Sequence, residues 1–223
     1  MKIDFVSDIA CPWCAVGLNA LEIALKRIGD DIPVTLHMQP FELNPDMAAE
    51  GVDATEYLAT KYGLSAAQLT ANRANIRARG AAVGFSFGER SRVWNTFDAH
   101  RLLHWAGLKD IAKQRALKHA LLRCYHGEGG NPSSKDVLLE LAQEVGLDVA
   151  TARRILESDT YARDVREAEQ FWIGNGINAV PAVIINDQQL ISGGQPPEVF
   201  EQALRQIAKD AQHAARGNVV TGN

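Results

Sequence analysis

The chain has 223 residues, a formal net charge of -4, 46% hydrophobic residues and 22% charged ones. That length allows one large domain or two small ones, and the balance belongs to globular proteins rather than disordered ones. It excludes a basic field that would draw the chain to nucleic acid or an anionic membrane, and no stretch reaches the ~18 apolar residues of a membrane span.

Residues Ile3 to Ser7 read as a short strand, followed by a turn holding Cys11 and Pro12. The helix after it is expected to run to about Ile28, with Leu21, Leu25 and Ile28 on one face and Gly29 as its stop. Val34 to Met38 alternates apolar and polar residues, a second strand and, across a helical crossover, a parallel one. After Asn44-Pro45 strand signals vanish until Ala182. In that interval Asp53 with Glu56 and Ser65 with Gln68 look like capping boxes, and Asn95 is expected to cap a helix running to Trp105. Leu117, Leu121 and Cys124 mark another helix, with Cys124 read as core packing. Ser133 or Ser134 opens one that Gly146 ends, and Asp148 and Asp159 open two more, so about six helices are expected. Arg73, Arg77 and Arg79 read as a solvated helix face. Ala182 to Ile185, a turn at Asn186-Asp187 and Gln189 to Ile191 read as an antiparallel hairpin. Pro196-Pro197 opens the last helix, with Phe200, Leu204 and Ile207 inward.

The order is βαβ, a helical block, then ββα. Neither end alone has strands enough for a sheet with a covered core, so the two ends are expected to share one four-stranded sheet. Residues 1–45 and 167–215 would form a discontinuous α/β domain, 46–166 a helical insertion and 216–223 a flexible tail.

Cys11-Pro12-Trp13-Cys14 follows a strand and opens a helix. The free N–H groups of a first helical turn and the helix dipole favour a thiolate at Cys11. Cys14, three residues on, lies within reach of a disulfide. Cys11 is therefore the expected nucleophile and Cys14 the resolving thiol. Pro12 suits the first turn, where no N–H is needed. Trp13 is expected to lie exposed beside the sulfurs as an apolar platform for substrate. Structural zinc needs four ligands, and Cys124 with His126 offers no common spacing, so no metal is expected. Val180-Pro181 precedes the third strand, where a cis proline would make a tight bend with Val180 offering backbone groups to an extended substrate.

Asp8-x-x-Cys11-Pro12-Trp13-Cys14, the run Asn95 to Leu102, Gly176-Ile177-x-x-Val180-Pro181 and Ile191-Ser192-Gly193-Gly194-Gln195-Pro196 together resemble the DsbA family. More narrowly they resemble its branch of FrnE-type dithiol–disulfide isomerases, over about residues 2–210. The resemblance implies a thioredoxin-like fold split by an all-α domain, redox catalysis by Cys11 and Cys14, and Pro181 as the cis-proline. It also implies that the helix holding Asn95 and His100 borders the cleft, with both as candidates to contact substrate; the competing reading is capping by Asn95 with His100 as a partly buried structural residue. That helix is expected to face Trp13 and Cys11, so the insertion would form a lid. Ser192 and Gly193, near a helix N-terminus, are candidates to hold a carboxylate such as that of glutathione.

The expected activity is reduction, formation or shuffling of disulfides in proteins or small molecules through a mixed disulfide. No cofactor is expected to be tightly bound. Glutathione is a candidate co-substrate, and glutathione or a thioredoxin-type protein a candidate reductant. Residues Met1 to Val6 lack the apolar run and cleavage site of an export signal, so a cytoplasmic location is expected. The competing reading is a glutathione-dependent isomerase or transferase resembling 2-hydroxychromene-2-carboxylate isomerases and kappa-class glutathione transferases. Those typically carry one catalytic serine or cysteine where this chain has a cysteine pair.

Overall fold

The computed structural model describes the chain from Met1 to Val220, with side chains described as far as His213. Strand β1 (Lys2–Ser7) leads into helix α1 (Pro12–Ile28) and strand β2 (Thr35–Pro40). A short ribbon, β3 (Val52–Asp53) with β4 (Arg92–Val93), encloses helices α2 (Ala54–Tyr62) and α3 (Ala66–Ala82). Helices α4 (Phe97–Lys109) and α5 (Ile111–Leu122) follow, then a π-helical turn at Arg123–Gly127. Helices α6 (Lys135–Glu144), α7 (Val149–Leu156) and α8 (Ala162–Gly174) complete the insertion. Strands β5 (Ala182–Ile185) and β6 (Gln189–Ser192) and helix α9 (Pro197–Val220) close the fold.

The two ends of the chain do share one sheet, in the order β2-β1-β5-β6. β1 runs parallel to β2 and antiparallel to β5. Alternation along β1 separates its two faces, as the pleat requires. Ile3 and Phe5 pack with Leu18 and Leu21 of α1 and Phe200 and Leu204 of α9, while Val6 joins Phe41, Trp172, Ile177, Ala182 and Ile184 on the other side. The register matters most at one end: Val6 pairs with Ala182. Because the strands are antiparallel, the start of β5 lies beside the end of β1. Pro181 is thereby brought next to the turn that carries Cys11, although 170 positions separate them in the sequence (181 − 11).

β2 is an edge strand, and an edge leaves backbone groups unpaired. Here α5 covers it with one side chain. The Gln114 carboxamide accepts from Met38 N–H at 3.0 Å and donates to Met38 C=O at 3.1 Å, acting as a short strand. It also donates to Leu103 C=O, and a β-carbon on Gly107 would stand 2.5 Å from its nitrogen, so glycine makes the room.

Six expectations change. The insertion holds seven helices rather than about six, and it contains a small ribbon where no strand was expected. Both ribbon strands are two residues long, too short for a periodic signal. Helix α4 starts at Phe97 and runs past Trp105 to Lys109, since nothing in Ala106-Gly107-Leu108 stops it. Asp159 does not open α8 directly: Tyr161, in a left-handed conformation at φ 63°, precedes its first residue Ala162. The expected boundary at 166/167 therefore falls inside α8. The expected tail at 216–223 is helical as far as Val220, as a continuation of α9, and its last three positions lie outside the described residues.

Replacing Gln114 by Leu would leave the Met38 N–H and C=O buried and unpaired. Each such group costs about 1–3 kcal/mol. The variant is expected to lose about 2–4 kcal/mol of unfolding free energy in urea titrations; a loss under about 0.5 kcal/mol would show that the edge is covered otherwise.

Candidate active site

The turn between β1 and α1 is built around a carboxylate. Asp8 is fully buried, and its Oδ1 accepts from Ala10 N–H at 3.0 Å and from the Thr96 hydroxyl at 2.8 Å. Its Oδ2 accepts from Leu43 N–H at 2.7 Å, and His100 Nε2 lies 3.3 Å from Oδ1. Burial by itself would raise the Asp8 pKa; the His100 hydrogen bond and charge and the backbone N–H groups outweigh it and hold the carboxyl below its ordinary range. The next two carbonyls are held as well. His126 Nε2 donates to Ile9 C=O at 2.8 Å, and Arg90 donates to Ala10 C=O at 3.1 Å. Burial pushes the His126 pKa down to about 3, with Arg90 adding to the effect, so the imidazole is neutral at physiological pH. Ile9 and Ala10 also belong to the insertion's own core, with Leu102, Leu121 and Tyr125.

Cys11 stands at the N-cap of α1 with Pro12 as the first helical residue, and its side chain makes no capping bond. Its thiol donates to Val180 C=O at 3.5 Å. The Val180–Pro181 peptide is cis. A β-carbon on Gly17 would come within 2.9 Å of the Pro181 ring, so a glycine one turn beyond Cys14 lets α1 close on it. Both cysteines are reduced; Cys11 is 4% exposed and Cys14 is fully buried. Burial, with the neighbouring Cys11 sulfur, pushes the Cys14 pKa well above the ordinary thiol range. Lys118 opposes that shift. It is itself buried at 1% exposure, and burial lowers its own pKa against the charges of Cys14, Asp8 and Cys11.

Several predicted residues turn out to be elsewhere than expected. Trp13 is half-buried, covered by Gly194 and by the Arg79 guanidinium 5.9 Å from its ring centre. Arg79 also donates to Gly194 C=O at 2.8 Å, fastening that loop to the dithiol helix. The Gly193 N–H is bonded to Pro181 C=O and the Gln195 N–H to Gly193 C=O, so these amides do not converge on an open carboxylate site, and Ser192 is exposed at the end of β6. Asn95 fastens loops, donating to Met47 C=O and accepting from Phe97 N–H. His100 is 2% exposed and faces Asp8 behind the turn, so it does not reach the cleft beside Trp13. Helix α4 turns His100 inward to Asp8, and the buried Arg101 to the Thr160 carbonyl and Asp98. The cleft wall comes from α2 and α3 instead: a cavity of about 500 Å³ lies between Pro12 and Trp13 on one side and Tyr57, Leu58, Leu69 and Ile76 on the other. Arg73, read as solvated, lines it, and Arg77 lines a smaller pocket next to Pro12. Cys124 is core, as expected.

Asp8 was visible only as one letter of a motif, and Arg90, Lys118 and His126 gave no local signal. Their roles depend on which carbonyl or sulfur the fold brings to them.

A split four-stranded sheet with a reduced cysteine pair at the first helix and a proline loop against it defines a thioredoxin-like dithiol protein. The chain belongs to the DSBA-like thioredoxin domain family, which matches residues 2–205. It is 31% identical to the uncharacterized protein YwbO of Bacillus subtilis, over 92% of this chain and 96% of that one. The crystal structure of a probable DsbA oxidoreductase, SCO1869 of Streptomyces coelicolor, is 36% identical, with a TM-score of 0.86 over 92% of this chain and 89% of that one. The cytosolic disulfide reductase DsbM of Pseudomonas aeruginosa, solved with GSH, shares the fold at 17% identity and a TM-score of 0.66, over 94% and 100% of the two chains. Members of this family are disulfide oxidoreductases and isomerases, so the chain is an enzyme of that class. No helix among the described residues is long and apolar enough to cross a membrane.

Beside Leu43, the buried Glu42 and Glu169 share one cation, Arg166. Burial and then the Glu169 charge raise the Glu42 pKa to about 8, so Glu42 is protonated at neutral pH. A carboxyl whose folded pKa lies above its unfolded value near 4.3 stabilises the fold while protonated. That contribution is complete below about pH 4.3 and is lost as pH rises through about 8. Glu42→Gln is expected to flatten this decline in urea midpoints measured from pH 5 to 8; an unchanged slope would contradict it.

Proposed function

We propose that this chain is a cytoplasmic dithiol–disulfide oxidoreductase or isomerase in which Cys11 attacks and Cys14 resolves. The observation that carries the reading is the position of Cys11. It stands at the N-cap of α1 with no side-chain capping bond, and its thiol donates to the Val180 carbonyl beside Pro181. The Cys11 thiolate attacks one sulfur of a disulfide, forming a mixed disulfide and expelling the other sulfur as a thiolate. Cys14 loses its proton and attacks the Cys11 sulfur, releasing the second thiol and leaving a Cys11–Cys14 disulfide. Pro12, Trp13, Val180 and Pro181 border that exchange, with the backbone of Val180 available to an extended substrate.

Cys14 resists ionisation in its buried setting, so the second step needs a base. Lys118 is the candidate: it is buried near the charges of Cys14 and Cys11, and burial lowers its pKa, which favours the form a base needs. It also lines a cavity of about 310 Å³ with His37, His100 and Gln114, a way out for that proton. Regenerating the dithiol takes an external thiol. Glutathione is the favoured co-substrate, by analogy with the DsbM structure that holds GSH, and a thioredoxin-type protein could serve in its place. The paired cysteines favour this reading over a glutathione-dependent isomerase or transferase, whose single nucleophile has no use for a second buried thiol.

Cys11→Ser is expected to abolish reduction of insulin disulfides in a turbidity assay. Cys14→Ser is expected to accumulate a mixed disulfide at Cys11, visible as a mass increase that dithiothreitol removes. Accumulation in Cys11→Ser with none in Cys14→Ser would reverse the two roles.

A further inference from the structure

Helices α2 and α3 are poorly committed to any core. Among their residues Ala54, Leu69 and Gly80 alone are buried. Yet their sequences carry Tyr57, Leu58, Leu69 and Ile76, and these side chains meet around one space. That space is the cavity of about 500 Å³ against Ala10, Pro12 and Trp13. Cys11 does not line it, but the residues on either side of it, Ala10 and Pro12, do. The volume falls in the range of small-molecule sites, which are apolar with a few convergent polar groups.

The charges around it have one sign. Arg73 and Arg90 are its charged lining residues, and no Asp or Glu is among them. Arg90 uses one guanidinium nitrogen on Ala10 C=O and the Tyr125 hydroxyl, and Arg73 uses one on the Thr55 hydroxyl. Neither arginine forms an ion pair with a carboxylate among the described residues. Glu89, which lines a smaller adjoining pocket with Arg73 and Arg90, is paired with Arg77. Two unpaired guanidinium groups beside apolar walls recognise an anion, best a planar one that takes a forked pair of N–H bonds. Tyr57, Tyr62 and Trp13 add aromatic rings to its lining.

We infer that the preferred substrate is a small disulfide with an aromatic or apolar body and a carboxylate, seated between α2–α3 and the dithiol turn with its carboxylate on Arg73. This rests on the dithiol chemistry proposed above. The reaction is the same exchange: the enzyme dithiol and the disulfide give the enzyme disulfide and two thiols, and added dithiothreitol returns the enzyme to its dithiol form as it is itself oxidised.

The test compares bis(4-carboxyphenyl) disulfide with its neutral isostere bis(4-carbamoylphenyl) disulfide. Each rate is divided by the uncatalysed rate with dithiothreitol, which removes the difference in intrinsic reactivity. Wild type is expected to prefer the carboxylate in kcat/KM by about ten-fold or more, equivalent to about 1.4 kcal/mol. Arg73→Glu is expected to erase that preference, lowering kcat/KM for the carboxylate probe by about ten-fold more than for the neutral probe, equivalent to about 1.4 kcal/mol. Equal turnover of both probes by wild type, an equal loss on both in Arg73→Glu, or a higher kcat/KM for insulin than for the carboxylate probe would overturn the inference. If wild type turns over neither probe nor insulin, the redox reading itself fails.

Discussion

A carboxylate sealed from water organises this molecule. Asp8 follows the first strand, and it bonds to the dithiol turn through Ala10, to the exit of β2 through Leu43 and to the start of α4 through Thr96 and His100. A buried charge with no partners would cost several kcal/mol. This one has four, drawn from both the sheet domain and the insertion, so the two cannot separate without exposing it unpaired. The insertion is thus no appendage. It holds the three residues before Cys11 by their side chain and carbonyls, through His126, Arg90 and α4, and its core encloses Ile9 and Ala10.

With that turn fixed, the two sulfurs differ by position alone. Cys11, 4% exposed, stands at the N-terminal end of a helix against the Val180 carbonyl, whereas Cys14, one turn inward, is fully desolvated with Lys118 near it. An attacking thiol needs access and a resolving thiol needs shelter until the mixed disulfide forms. The antiparallel register of β1 and β5 adds the proline loop to the same spot, and Gly17 and Gly194 are the small residues that let the loops approach α1.

The fold was largely legible because its signals are local and periodic. The β1 alternation, the α1 stripe, the Ser65–Gln68 capping box and the inward face of α9 each arise within a few residues. So does the cysteine pair after a strand. What stayed illegible depends on distance in sequence. His100 reads as a polar residue facing a cleft until the partner Asp8 appears, 92 positions earlier. Arg73 and Arg79 read as solvated until Pro12, Trp13 and Gly194 come up against them. The amides of Gly193 and Gln195 look available to an anion until Pro181 and Gly193 take them. Lys118 gives no hint in its own helix, since burial of a lysine is a property of the neighbours.

The central claim is the division of labour between the two sulfurs, and their alkylation rates test it most directly. The reduced protein is treated with iodoacetamide near pH 7, sampled over time and mapped by peptide mass spectrometry. Cys11 is expected to be modified first, with Cys14 and Cys124 labelled only after denaturation. Labelling of Cys14 as fast as Cys11 in the folded protein would contradict the account.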